Sequence, residues 1–246
     1  MIFAYIDLLT SSPLAFIVFF GAIFTALVGG ICFHECSHAI IADSLGDSTP
    51  RRMGRISLNP RAHLDPIGTI MIFIAGFGWG KPVEVNILSL KNGPKAGMAS
   101  VAAAGPISNF IIGIIAAIPI QIGVIEWIPP SSSAIDNFVI HGSWSITEYF
   151  GLYLSAIVLI SIILGVFNLV PLFPLDGHRI LPIFLPDRLA ESYMEAQTRY
   201  GFILLIALIV LPMLLGGDFG FLYDITSPII NGLLGLFTGF DTKFWA

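Results

Sequence analysis

Charge is what this chain has least of. Asp, Glu, Lys and Arg together make up 11% of its 246 residues, where soluble domains carry roughly a quarter. A mean hydropathy of +0.89 excludes an ordinary water-soluble domain. Basic residues form no patch that would suit nucleic acid, and the net charge of -5 says little about partners, because topology distributes charge in such a chain. Residues 1–13 contain no Lys or Arg, so the basic region of a cleavable signal peptide is missing and the first apolar helix is expected to stay in the mature protein.

What is present is apolar sequence in blocks, at 14–41, 67–79, 96–125, 149–173, 202–215 and 225–240. These predict an all-α polytopic membrane protein with about four to six transmembrane helices. The second block is short and runs into Gly76, Gly78 and Gly80, which predicts a re-entrant or β-hairpin element near 67–87 rather than a span. The chain is expected to form a single membrane-embedded domain over 1–246, with a core at 14–180 and C-terminal helices at 200–240.

The sparse basic residues orient these blocks. Arg51, Arg52, Arg55, Arg61, Lys81, Lys91 and Lys95 lie between the first and third, Arg179, Arg188 and Arg199 follow the fourth, and 126–148 has none. By the positive-inside rule the chain starts outside, crosses at 14–41, stays cytoplasmic until Lys95, and then crosses at 96–125, 149–173 and 202–215. The last block, ending near Lys243, either returns or lies in the interface.

Inside the first block stand His34, Glu35, Cys36, Ser37 and His38, an HExxH pattern. On a helix the two histidines are one turn apart on one face, so both can reach one Zn²⁺, with Glu35 beside them as a candidate base. Ionisable groups at membrane depth are costly and are expected only where function requires them. Cys32 and Cys36, the only cysteines, turn to roughly the opposite face and read as small buried residues rather than ligands or a disulfide. A catalytic zinc needs a third protein ligand and an open position. Asp176, delivered to the same leaflet by the fourth block, is the best candidate and His178 the runner-up; His63 and Glu84 are weaker, and His141 falls on the wrong side.

Further motifs accompany these: Asn59-Pro60-Arg61-Ala62-His63 with Asp65-Pro66-Ile67-Gly68-Thr69, then Gly105-Pro106-Ile107-Ser108-Asn109, then the run from Asn168 through Pro171 and Pro174 to Asp176-Gly177. Together with the HExxH they resemble the site-2 protease family of intramembrane zinc metalloproteases, in a minimal form without PDZ or CBS domains. The resemblance implies that His34, His38 and Asp176 bind zinc, that Glu35 is the catalytic base, and that Asn168 helps hold the substrate or the oxyanion. Asn109 is read either as a substrate-binding residue or as an interhelical hydrogen bond, which explains an amide in lipid equally well. Gly105 and Pro106 are read as allowing close helix approach and a kink.

The expected activity is hydrolysis of peptide bonds in or near transmembrane segments of membrane-protein substrates. Partners are such a substrate and the bilayer, with the oligomeric state open. The expected location is the plasma or inner membrane, with the active site near the cytoplasmic side. Water would enter from there, past the polar stretch 43–65 and the glycines of 76–80. The alternating segment 81–86, carrying Val83 and Val85, reads either as a plain hairpin or as an edge strand that presents substrate. A zinc-binding transporter or sensor, or an inactive scaffold, are the competing expectations. Against the first stands the lack of other charged residues within the spans, and against the second the intact Glu35.

Overall fold

A computed structural model describes residues 8–75, 80–141, 144–214 and 220–240, and within them the fold is all-α, without a strand. Helix α1 (Pro13–Ser44) opens with a proline in its first turn, where the missing N–H would have had no partner in any case. The short helices α2 (Thr49–Arg52) and α3 (Pro60–His63) follow, then α4 (Pro66–Ala75) and α5 (Pro94–Gln121). Asn59 caps α3 by accepting from Arg61 N–H. Helix α6 (Ser132–His141) precedes α7 (Ile146–Asn168), which begins at a capping box: the Ser145 and Glu148 side chains each bond the other's backbone N–H. The chain continues through α8 (Gly177–Ile180), α9 (Asp187–Ala196), a π-helical turn (Gln197–Gly201), α10 (Phe202–Leu214) and α11 (Gly220–Thr238).

Among the described residues, four helices are long and apolar enough to cross a membrane: Pro13–Ser44, Pro94–Gln121, Ile146–Asn168 and the continuous Asp187–Pro212. The fourth begins well before the apolar block that announces it. Its first turns carry Asp187, Arg188, Glu191 and Glu195, so hydropathy registers only the part from residue 202 onward. The segment between α5 and α7 also differs from a plain loop, because α6 buries Phe138 edge-on against Phe19 and Trp144.

Of the stretch at 67–87 expected to be re-entrant or a β-hairpin, 66–75 are helical, while 76–79 lie outside the described residues. Leu64 and Gly80 form one antiparallel bridge, and Lys81 N–H donates to the His63 carbonyl at 2.6 Å. The excursion through α4 therefore starts and ends at one place. The hairpin is reduced to that bridge, and 81–86 runs on without a strand ladder among the described residues. Buried Asp47 ties it down, accepting from Thr49 N at 2.9 Å and Asn86 N at 2.7 Å. Burial would raise the pKa of that carboxyl, but these donors and Arg52 outweigh it and hold it below the usual carboxylate range.

Helices α1, α5 and α7 pack on one another and α11 leans on α5 and α7. One core joins Ala117 and Ile120 of α5 to Val158 and Ile162 of α7 and Leu234 of α11. Another joins Ala15, Phe19 and Ala22 of α1 to Leu152 and Ala156 of α7 and to Phe138. Small residues dominate where α1 meets its neighbours, as expected where lipid gives no hydrophobic drive and close packing must hold helices together.

Candidate metal centre

The i, i+4 spacing on α1 sets the His34 and His38 rings edge to face with centroids 4.6 Å apart, both buried. From the other side comes Asp176, which ends the irregular stretch leaving α7. Its Oδ2 lies 2.9 Å from His34 Nε2 and 3.3 Å from His38 Nε2. That oxygen is buried and accepts no hydrogen bond. Two imidazole nitrogens and an orphaned carboxylate oxygen, all within 4.8 Å of one another, form a donor set suited to zinc.

The turn that carries Asp176 is held tightly. Phe173 N–H donates to Gln197 Oε1 at 2.8 Å, and Tyr193 O–H donates to the Pro171 carbonyl at 2.7 Å. At Gly177 a Cβ would stand 2.3 Å from the Leu169 carbonyl oxygen, so the chain can double back there only without a side chain.

Helix α5 lies against both histidines. The Val101 carbonyl accepts from His38 Nδ1–H at 2.7 Å, which leaves the Nε2 lone pair facing Asp176. Asn109, fully buried, brings its amide to 3.1 Å from His34 Nδ1. Between them sits Gly105, where a Cβ would be 2.5 Å from His34 Cε1 and 2.6 Å from His38 Cε1. Gly105→Ala is therefore expected to displace one or both rings, and zinc per purified chain should fall well below that of wild type while helical circular dichroism is kept. Normal zinc in that variant would show that the rings have room to move.

Glu35 points to a different set of neighbours. Its Oε2 lies 3.7 Å from Arg55 Nη2, with no hydrogen-bond partner of its own. Buried Arg55 donates to the Ala62 and Lys81 carbonyls, tying both ends of the α4 excursion to the turn of α1 that bears Glu35. Burial lowers the Arg55 pKa while Glu35 and Glu84 work against that. Sequence reading did not single out Arg55, since nothing local separates it from Arg51, Arg52 and Arg61.

The other expected residues fall as follows. Asn168 is half-buried at the end of α7 and donates from Nδ2 to the Leu164 carbonyl at 2.9 Å. His178 donates from Nδ1 to the Leu175 carbonyl at 2.5 Å and packs edge-on to Phe173, outside the group of His34, His38 and Asp176. Burial, aided by Arg179, pulls its imidazole below the ordinary value. His63 is fully buried and donates to the Ser57 carbonyl at 2.5 Å, while Glu84 and His141 are exposed. Val83 is buried, and Val85 packs on the cluster of Ala42, Leu90 and Val101. Cys32 and Cys36 are buried free thiols.

Comparison with known proteins points the same way. The chain is 36% identical over 190 residues to the "Putative zinc metalloprotease YwhC" of Bacillus subtilis, covering 76% of this chain and 79% of that protein. It is 25% identical over 250 residues to the "Putative zinc metalloprotease Rip2" of Mycolicibacterium smegmatis, covering 99% and 88%. With the "Zinc metalloprotease MJ0392" of Methanocaldococcus jannaschii it shares 27% over 171 residues, 70% of this chain but 36% of that one. No solved structure matches. A model of peptidase family M50 matches residues 22–210. That stretch runs from α1 into α10 and takes in His34, His38 and Asp176, so the chain belongs to peptidase family M50.

Proposed function

We propose that this zinc metalloprotease cuts peptide bonds within or beside the transmembrane segments of membrane-protein substrates, with His34, His38 and Asp176 as metal ligands and Glu35 as general base. The observation that carries the reading is the meeting of three ligand atoms at one point, on and against helices of membrane-spanning length. Held there, zinc would polarise the scissile carbonyl and acidify a water molecule. Glu35 would take the proton from that water and return it to the leaving nitrogen, so amide hydrolysis needs no covalent intermediate. Asn168, at the end of the helix that leads to Asp176, would help hold the substrate or the developing oxyanion.

The basic residues of 51–95 and of 179–199 favour a site near the cytoplasmic side of the plasma or inner membrane. Gly80 stands beside Glu35, where a Cβ would lie 3.3 Å from Oε1. The extended segment 81–86, with Val83 and Val85, leads away from that point and is where an unwound substrate stretch would lie.

A transmembrane helix hides its peptide bonds in its own hydrogen bonds, so a substrate must unwind locally before it can be cut. The test incubates purified, zinc-loaded protein with single-span peptides, with and without chelator, and maps products by mass. Chelator-sensitive cuts are expected near Gly, Pro or Asn, and an all-Leu span should resist. Equal cleavage of the all-Leu span would contradict the need for unwinding, and absence of any cut across the panel would count against intramembrane proteolysis.

A further inference from the structure

We infer that Asn109 is a positioning residue for His34, its side-chain oxygen accepting the Nδ1 proton that His34 carries whenever Nε2 gives its lone pair to zinc. The inference rests on the zinc reading of the site and goes beyond it, because it gives one helix control over how both ligands are aimed.

Val101, Gly105 and Asn109 follow one another at intervals of four along α5, and so share a face. That face meets the two histidines with a carbonyl, a bare backbone and a carboxamide in turn. The Val101 carbonyl is an acceptor only, so it fixes His38 in the form with Nδ1 protonated and Nε2 free for a metal. His34 needs the same service. Its Nδ1 has Asn109 as neighbour, with Nδ2 at 3.1 Å, while Asn109 Oδ1 is fully buried and has no partner.

A neutral imidazole that binds a metal through Nε2 keeps its proton on Nδ1. Two donors, Nδ1–H and Nδ2–H, would then face each other. A half turn about the last side-chain bond exchanges the two ends of a carboxamide, which puts the orphaned Oδ1 in line with the Nδ1 proton. Outer partners of this kind set both the orientation and the basicity of a metal-bound histidine. An amide that served only to join α1 and α5 would not make zinc affinity depend on whether residue 109 offers an acceptor.

The test uses the full chain in detergent and measures the zinc dissociation constant by chelator competition, with the visible spectrum of the cobalt-substituted protein as a second readout. Asn109→Asp keeps the shape and the acceptor and removes the donor; Asn109→Leu keeps the approximate shape and removes both. Asn109→Leu is expected to weaken zinc binding roughly 10–100-fold and to alter the cobalt bands, whereas Asn109→Asp holds zinc at least as tightly as wild type. Asn109→Ala stands in if the leucine variant does not fold. Zinc affinity unchanged in the leucine or alanine variant would overturn the inference. So would an equal loss in the aspartate variant, since a required donor or a packing role would then explain the site. His38→Ala serves as the control: a wild type that holds zinc no better than this variant overturns the metal reading itself, and Asn109's part with it.

Discussion

Purified Glu35→Gln protein is expected to bind as much zinc as wild type and to lose cleavage by roughly 10²–10⁴-fold, the range that a positioned general base supplies. The two halves of that outcome come from different parts of the structure. Zinc would be kept because Glu35 is not in the cluster: the atoms that meet belong to His34, His38 and Asp176, and Glu35 Oε2 is turned toward Arg55 at 3.7 Å. The fold would be kept because Arg55 still has the Ala62 and Lys81 carbonyls to bond, and the glutamine oxygen can face its guanidinium. Cleavage would be lost because an amide of nearly the same shape cannot accept a proton at neutral pH. The check is metal content by atomic absorption alongside product formation on one peptide substrate. Undiminished proteolysis would remove Glu35 from the reaction, and loss of zinc would recast it as a ligand.

The three donors that meet were legible in the sequence because each rests on a rule that acts locally or on what a metal would require. Helical periodicity puts His34 and His38 on one face, and the demand for a third donor at the same depth favours Asp176 over His178. What surrounds them was not legible, because it depends on which helix packs where. Nothing in the sequence says that the Val101 carbonyl meets His38, or that Gly105 is bare because two imidazoles press on it. Close approach at Gly105 was expected; the neighbour it approaches was not. Arg55 is the sharper omission. Its role as a tie between Glu35 and both ends of the α4 excursion arises from the path of a loop, on which periodicity is silent.

The fold shows the same division. The long, mostly apolar spans α1, α5 and α7 were marked by hydropathy to within a few residues. Elements that are apolar on one side only were missed or shortened. Helix α6 escaped because its polar residues outnumber the few, chiefly Phe138, that face the core, and the span at Asp187–Pro212 lost its first turns because α9 alternates charge with Leu189 and Ala190. Mean hydropathy cannot register a one-sided helix, whose burial depends on a partner surface.

Replacing Asp176 by Ala is expected to cost more zinc affinity than the roughly 10–100-fold that a lost outer partner takes away, and cleavage with it. The size of the effect follows from the way the carboxylate is presented. Gln197 and Tyr193 bond the turn that precedes it, and Gly177 lets the chain fold back on the Leu169 carbonyl, so Oδ2 arrives between the imidazoles from a rigid support. His178, the other donor in the same turn, is buried beside Phe173 with Nδ1 bonded to the Leu175 carbonyl, and swinging it inward would break that packing. His178→Ala is accordingly expected to hold zinc as wild type does. Chelator competition on the two purified variants separates the candidates. Tight zinc in Asp176→Ala, or its loss in His178→Ala, would mean that the third ligand has been misassigned, and the way α7 hands its end to the two histidines would need another explanation.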